Sequence, residues 1–325
     1  MRCLQAFSIV LMLLASVPVL AQTSTVEPPA ARATFKSGVD LVTVSAVVRD
    51  QKGRVVTNLT RADFEVLDNG ERRPITDFRA ERSGVSVALL FDASGSMQVA
   101  AKIEAARQAA RHVLAWMRPG EDELAIYSFD TGLRQLQPFA PYKADATLER
   151  SMVSISPFGM TSLNDAIAAT AKQLAGRPNA HRAVVVMTDG VDNASRLSAP
   201  QVSGIASSID VPVYILAVVS PLDHAGTSTA VNSERPIPVG DLADLARWTG
   251  GEFFVTSVPA QTSQAARQVI EELRHQYVLV FEPASVSGWR PLEVRAARGR
   301  GQLNVRARSG YIAGPPKIQG FDQSR

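Results

Sequence analysis

The first residues whose types and spacing could do chemistry lie in the segment Asp92-Ala93-Ser94-Gly95-Ser96. In an extended loop, alternate side chains point to the same side, so one carboxylate and two hydroxyls would converge there. We expect Gly95 to let the backbone turn tightly between the two serines. These hard oxygen donors suit Mg²⁺, Mn²⁺ or Ca²⁺ better than the metals that prefer soft ligands. The segment therefore predicts one part of a divalent-cation site.

Two further segments carry oxygen donors of the same kind. Thr188-Asp189-Gly190 follows an apolar run, as Asp92 does, and supplies a second carboxylate. Gly159-Met160-Thr161 precedes a helical pattern and supplies a third hydroxyl. Simpler interpretations remain open, because Asp-x-Ser-x-Ser also occurs in turns and helix caps, Asp189-Gly190 could be only a turn, and a fold can retain such a motif without its function. We expect the five side chains to form one cation site: Asp92, Ser94, Ser96, Thr161 and Asp189.

Both carboxylates follow sequences typical of strands buried on both faces. Val85–Phe91 and Ala183–Thr188 are almost continuously apolar, and Val211–Val219 is a third such run. Helical patterns alternate with these strands, and the expected elements further include helices at 103–117, 162–174, 239–249 and 266–277 and strands at 124–129 and 252–255. The alternation predicts a doubly wound, mostly parallel α/β domain. Ligands of such sheets bind at the carboxyl ends of the strands, which is where Asp92 and Asp189 stand.

The sequence on either side of this domain has the two-residue period of half-buried strands. The expected strands are 41–48, 55–56, 64–67, 75–78, 277–281, 292–296 and 303–308, with Asp68-Asn69-Gly70 as a hairpin turn. Neither flank is large enough to close a core alone, so we expect the two to pair in one small β-sandwich. The predicted organisation is a signal peptide (1–21), a linker (22–34), an N-terminal β-strand region (35–83), the α/β domain (84–276), a C-terminal β-strand region (277–313) and a disordered tail (314–325).

Composition and the amino terminus narrow the class of protein. The 325 residues are 46% hydrophobic and 20% charged, which excludes a disordered chain or a fibre, and a net charge of +3 without a recognition motif does not indicate nucleic acid. The amino terminus has the pattern of a signal peptide cleaved before Gln22. It begins with the positive charge of Arg2, continues with the apolar stretch Ala6–Leu20, and has small residues at Val19 and Ala21. We therefore expect a periplasmic or secreted protein without a transmembrane helix in the mature chain. The single cysteine, Cys3, would leave with the signal peptide.

The α/β domain resembles a von Willebrand factor type A domain with a metal-ion-dependent adhesion site. That site has the form Asp-x-Ser-x-Ser, a separate Thr and a separate Asp, which Asp92, Ser94, Ser96, Thr161 and Asp189 match in order. The flanks are similar to bacterial exported VWFA-related proteins, notably in Asp40–Val44, Asp63–Val66 and Ser309–Tyr311. The resemblance implies a non-catalytic adhesion or scaffold module that binds Mg²⁺ (or Mn²⁺ or Ca²⁺). In the family the hydroxyls can bind the ion directly, and a carboxylate of a protein partner completes its shell.

Two other classes of function are weighed against this one. Asp92 could accept a phosphoryl group in a Mg²⁺-dependent hydrolase or phosphotransfer enzyme, but position 94 lacks the second aspartate of haloacid dehalogenases. The serines lie outside a Gly-x-Ser-x-Gly motif, and the four histidines fit no metal-ligand spacing. Alternatively, an arginine-rich set in the C-terminal strands could bind an acidic surface, although the solvent-facing side of strands explains it more simply. That set is Arg290, Arg295, Arg298, Arg300, Arg306 and Arg308.

Overall fold

The computed structural model describes residues 41–80, 82–190, 192–219, 239–284, 287–299 and 301–313. Outside these ranges lie the predicted signal peptide and linker, residues 35–40 of the predicted N-terminal β-strand region, the polar segment 220–238 and the predicted tail at 314–325. None of the helices within the ranges combines the length and the apolar character that crossing a bilayer demands.

The central element is a six-stranded, mostly parallel sheet with the order β10-β9-β8-β5-β6-β7. Its strands are β5 (Val85–Asp92), β6 (Glu123–Phe129), β7 (Leu133–Pro141), β8 (His181–Thr188), β9 (Val213–Val218) and β10 (Phe253–Thr256). Every residue of β5 is buried, as its continuous apolar sequence predicts. Only the edge pair β6–β7 is antiparallel. The predicted fold class is confirmed.

Six helices cover the two faces of this sheet. They are α1 (Lys102–Trp116), α2 (Ala146–Val153), α3 (Leu163–Leu174), α4 (Ala199–Ser208), α5 (Val239–Thr249) and α6 (Pro259–Arg274). The apolar faces of α1, α2 and α6 build the core on one side, and those of α3, α4 and α5 build the core on the other.

Three elements, β7, α2 and α4, are not among those expected from the sequence. β7 is an edge strand with mixed burial and two prolines, so it lacks the continuous apolar pattern of its neighbours. α2 is only 8 residues long. A signal for α4 was present, because Ser198 and Gln201 form a capping box with Pro200 in the first turn.

The flanking strands form the expected β-sandwich from both ends of the described chain. One sheet has the order β14-β1-β11-β4, the other has the order β13-β12-β2-β3, and β15 also pairs with β12. The strands are β1 (Val42–Arg49), β2 (Phe64–Asp68), β3 (Glu71–Arg73), β4 (Ile75–Arg79), β11 (Tyr277–Phe281), β12 (Gly288–Arg298), β13 (Gly301–Gln302), β14 (Asn304–Ala307) and β15 (Gly310–Ala313). A shared core that includes Val44, Val66 and Leu279 joins the N-terminal and C-terminal strands. Asn69 and Gly70 have φ values of 52° and 82°, as the predicted hairpin turn requires.

Three expectations about the flanks need correction. Val55 and Val56 form no strand, since Val55 makes only an isolated bridge to Arg49. The strand expected at 303–308 is the shorter β14, Asn304–Ala307, and β13, which precedes Leu303, belongs to the other sheet.

The third correction concerns the arginine-rich set. Arg295 and Arg298 are exposed, as expected, but Arg290 and Arg308 are only 8% and 4% exposed. Arg290 pairs with buried Asp68 at 2.6 Å, and Arg308 donates to the carbonyls of Ser207 and Thr43. Arg306 pairs with Glu252 and Glu272, while Arg300 lies outside the described residues. Half of the set is therefore used inside the fold, which weakens the case for an arginine-rich binding surface.

The β-sandwich is joined to the α/β domain by a buried ionic cluster. Glu272 near the end of α6 is fully buried, and it accepts hydrogen bonds from Arg49 of β1 and Arg306 of β14. The hydroxyl of Tyr214 at the start of β9 donates to Glu272 at 3.1 Å. This junction lies at the amino ends of the parallel strands, opposite the edge that holds Asp92.

Candidate metal site

Asp92 ends β5 and is completely buried. Its Oδ1 accepts a hydrogen bond from the backbone N–H of Ser94 at 2.9 Å, and its Oδ2 accepts one from the Thr188 hydroxyl at 2.6 Å. Burial raises the pKa of Asp92 to about 6. The hydrogen bonds from Ser94 and Thr188 act against this rise, and the negative charge of Asp189 adds to it. A negative charge at this position is therefore costly unless a cation lies nearby.

The two serines connect this loop to the second carboxylate. The Ser94 and Ser96 hydroxyl oxygens lie 3.0 Å apart, and the Ser96 hydroxyl donates to Asp189 Oδ1 at 3.1 Å. Ser94 is 1% exposed and Asp189 is 8% exposed, whereas Ser96 faces solvent. Four of the predicted ligands therefore converge at the carboxyl edge of the sheet, and the cluster opens to solvent at Ser96.

Thr161 lies on a third loop that is bound to the other two through the backbone. The Phe158 N–H donates to the Ala93 carbonyl at 2.7 Å, and the Gly95 N–H donates to the Gly159 carbonyl at 3.0 Å. On the other side, the Thr161 N–H donates to Asn193 Oδ1 at 2.8 Å. Thr161 is 3% exposed, and in the described part of the chain no hydrogen bond joins its hydroxyl to the other four side chains. The loop is in place, but the Thr161 hydroxyl stands apart from the hydrogen-bonded cluster.

Three contributors to the site are not among the residues predicted from the sequence. Lys102, the first residue of α1, places Nζ 3.0 Å from Asp189 Oδ2, and the side chains of this pair are 17% and 6% exposed. The Thr188 hydroxyl donates a hydrogen bond to Asp92, and the Asn193 side chain accepts one from the Thr161 N–H. Thr188 stood beside Asp189 in the motif and could have been identified as a neighbour, whereas no local pattern marks Lys102 or Asn193.

The glycine requirement also differs from the expected one. Gly95 does not have a positive φ, and a Cβ at this position would lie 3.4 Å from the Gly159 carbonyl oxygen, which is an ordinary contact. The left-handed backbone occurs instead at Gly159 and Gly190, with φ values of 85° and 101°. Glycine is therefore needed beside Thr161 and Asp189 rather than between the serines.

The donor set fits a hard divalent cation. It consists of two carboxylates and three neutral hydroxyls, with no imidazole or thiolate among the five residues. Within the described ranges no group of three or more His, Cys, Asp or Glu side chains could hold a metal ion, so the hydroxyls are essential to this site. Burial and the engagement of both Asp92 oxygens disfavour that carboxylate as a phosphoryl acceptor.

Comparison with known proteins places the domain in a family. Residues 87–191 match the family model described as the von Willebrand factor type A domain. In sequence, no curated protein matches the chain significantly.

Several solved structures are similar in fold at low sequence identity. An aerotolerance-related membrane protein from Bacteroides fragilis NCTC 9343, with multiple mutations to serines, is 20% identical, with 58% of this chain and 99% of that chain covered and a TM-score of 0.46. A von Willebrand factor type A protein from Catenulispora acidiphila is 12% identical, with coverages of 76% and 72% and a TM-score of 0.47. Proximal thread matrix protein 1 from the mussel byssus, with a zinc-occupied MIDAS motif, is 15% identical, with coverages of 63% and 49% and a TM-score of 0.46.

These TM-scores are below 0.5, so the assignment rests on the family model and on the topology of the sheet. The matched residues run from β5 through α3 to the end of β8, and thus contain the three loops of the site. The α/β domain of this chain is a von Willebrand factor type A domain.

Proposed function

We propose that this chain is a non-catalytic protein-binding module of the adhesion or scaffold type. A divalent cation binds to Asp92, Ser94, Ser96, Thr161 and Asp189. A carboxylate of a protein partner then binds to the cation. The observation that carries this proposal is the Ser94–Ser96–Asp189 hydrogen-bonded cluster beside buried Asp92, at the solvent-facing edge of the sheet.

The charges explain why such a centre recruits an acidic group. Three of the five donors are neutral hydroxyls, so only two carboxylate charges oppose the +2 of the cation, and Lys102 beside Asp189 adds +1. Mg²⁺ prefers six oxygen ligands at short distances, so an oxygen from outside the chain can complete its shell. Mn²⁺ and Ca²⁺ use the same kind of donor and are the alternative ions.

Cation binding is tested by calorimetric titration of the purified protein with Mg²⁺, Mn²⁺ and Ca²⁺, with Zn²⁺, the ion named for the mussel protein, as a competitor. We expect binding with a stoichiometry of one, and at least a tenfold loss of affinity in Ser96→Ala. Ser208→Ala is the matched control, because this exposed serine bonds only within α4. Equal affinities for the two variants would contradict the proposed ligand set.

Partner binding is tested by affinity capture of binding proteins from the source cells in Mg²⁺ and in EDTA. We expect specific partners to be retained in Mg²⁺ and released by EDTA, and to be lost with Ser96→Ala. The enzyme alternative predicts instead phosphoester hydrolysis that Asp92→Asn abolishes. Retention that resists EDTA but is lost in high salt would favour an electrostatic surface over the cation site.

We further propose that the protein is exported, to the periplasm or beyond the cell, after removal of residues 1–21. The support is the charged and apolar pattern of Arg2 and Ala6–Leu20. Mass spectrometry of the protein recovered outside the cytoplasm should give Gln22 as the first residue. An intact amino terminus would contradict cleavage.

A further inference from the structure

Three exposed apolar side chains, here called the apolar rim, flank the candidate metal site. They are Val99, Phe158 and Met160, with exposures of 62%, 78% and 49%. Among the exposed large apolar side chains of the described residues, Phe158 and Val99 are the two most exposed. Isolated exposed apolar residues are ordinary on protein surfaces, but these three lie on the two loops that carry Ser96 and Thr161.

The two loops are held together by hydrogen bonds, so the apolar rim has a defined position. The Phe158 N–H donates to Ala93, and the Gly95 N–H donates to Gly159. The Gln98 side chain of the first loop donates to the Pro157 carbonyl of the second. These contacts join the backbone beside Val99 to the backbone beside Phe158 and Met160.

The backbone that follows Val99 has an unusual conformation, which is a second observation on the exposed position of the Val99 side chain. Ala100 and Ala101 have φ values of 52° and 56°, in the left-handed region that residues with a Cβ disfavour. A relaxed loop would not place two consecutive alanines there. Across this turn the Lys102 N–H donates to the carbonyls of Met97 and Val99, and Val99 faces solvent beside the start of α1.

Charge indicates what kind of partner would cover this surface. Asp92 and Asp189 contribute −2, Lys102 contributes +1 and a bound divalent cation contributes +2, so the loaded centre is net +1. An anionic group is therefore favoured at the centre, and apolar groups are favoured around it. Interfaces of this kind bury a few anchor side chains beside a polar contact that sets the register.

Resting on the proposed function, we propose that the apolar rim and the cation form one docking surface for an acidic, apolar-flanked protein segment. In that segment an Asp or Glu is flanked by aliphatic or aromatic side chains. The acid binds the cation, and the apolar neighbours pack on Phe158, Met160 and Val99. A lipid surface is less well matched, because Lys102 is already paired with Asp189 and the rim contains only three side chains.

The experiment is a selection of displayed peptides on the immobilised full chain. The library has a fixed Asp or Glu between four random residues on each side, and bound peptides are eluted with EDTA in place of Mg²⁺. We expect apolar residues next to the acid to be enriched at least threefold over the starting library. The best peptide, synthesised and titrated at saturating Mg²⁺, should bind the Phe158→Ser/Met160→Ser variant at least tenfold more weakly.

Ile312→Ser is the matched control, because Ile312 is 51% exposed on β15 of the sandwich, and its peptide affinity should equal that of the parent protein. EDTA-eluted peptides without apolar enrichment, or equal binding by the rim variant, would overturn the apolar rim and leave the proposed function standing. Absence of EDTA-dependent peptides together with absence of Mg²⁺ binding would overturn both. Chelator-insensitive binding of the rim to phosphatidylcholine–phosphatidylserine vesicles, lost in Phe158→Ser, would replace the peptide by a membrane.

Discussion

Two acidic clusters at opposite ends of the same sheet differ in how their charge is neutralised. At the junction with the sandwich, Glu252 and Glu272 (−2) face Arg49 and Arg306 (+2), and Glu272 is fully buried. At the carboxyl edge, Asp92 and Asp189 (−2) face Lys102 (+1), and hydroxyls occupy the remaining positions. The junction supplies its own counter-charges, whereas the edge is left with a net −1.

This difference separates a structural ion cluster from a candidate binding site. A buried carboxylate whose charge is matched by guanidinium groups holds two parts of a fold together and has no need of a further cation. At the carboxyl edge, where negative charge is unmatched and Ser96 faces solvent among hard oxygen donors, we expect a cation from solution to stabilise the cluster. Acidic residues alone therefore do not mark a site.

The largest expected effect is at the junction. Glu272→Ala leaves Arg49 and Arg306, which are 22% and 20% exposed, without their shared partner. We expect the free energy of unfolding to fall by about 3 kcal/mol, the lower end for a broken buried ion pair, because both guanidinium groups keep some solvent. Urea unfolding measures this change. The control is Glu271→Ala, whose exposed pair with Arg267 should be worth less than about 1 kcal/mol; equal losses would show that the junction carries no special charge pairing.

A second prediction uses acid to probe the junction end of the sheet. Burial lowers the pKa of His181 from 6.5 to about 4. His275 adds a smaller lowering, and the charge of Asp210 acts in the opposite direction. The unfolded chain then binds this proton between about pH 6.5 and 4 while the folded chain does not. The His181 contribution to stability is complete above pH 6.5 and is lost as the pH falls through that window, by up to about 3 kcal/mol. Proton NMR should show its ring titrating near pH 4, and a midpoint near 6.5 would refute the prediction.

The third prediction concerns the carboxyl edge, where the missing positive charge is expected to come from solution. Mg²⁺ at one hundred times its Kd should raise the free energy of unfolding by about 2.7 kcal/mol, and EDTA should remove the gain. Asp189→Asn should abolish the response, because it removes the carboxylate bonded to Ser96. Thermal unfolding with and without Mg²⁺ measures it. An undiminished response in Asp189→Asn would place the ion elsewhere.

The smallest expected effect comes from removing the positive charge beside Asp189, which leaves the carboxyl edge with less internal counter-charge than the junction has. Lys102→Gln removes the positive charge that is paired with Asp189, so the cluster changes from −1 to −2. Mg²⁺ affinity should rise at least fivefold, because two unit charges about 4 Å apart interact by about 1 kcal/mol even in bulk water and by more near a protein surface. Lys172→Gln, at an exposed position on α3, makes the same change in net charge far from Asp189. Calorimetry should therefore give different Mg²⁺ affinities for the two variants. Equal affinities would mean that Lys102 does not tune the site.

The sequence predicted those elements that can be recognised from the residue pattern of one short segment. The continuous apolar run of β5 and the alternation of strands with helices identified the buried sheet, because burial on both faces demands apolar residues at every position. β7 escaped detection because an edge strand is half exposed and keeps no simple period. Arg306 was expected to face solvent because alternation fixes a side of a strand but not what packs against that side.

The amino-acid order by itself determined the oxygen donors Asp92, Ser94 and Ser96 and the strand that precedes them, because the two-residue period of extended backbone is set by local geometry. Only the tertiary structure decided that Lys102 reaches Asp189 and that Arg49 reaches Glu272, pairs separated by 87 and 223 residues. Such partners are chosen by the packing of distant elements, and no local period encodes which charges that packing brings within hydrogen-bonding distance.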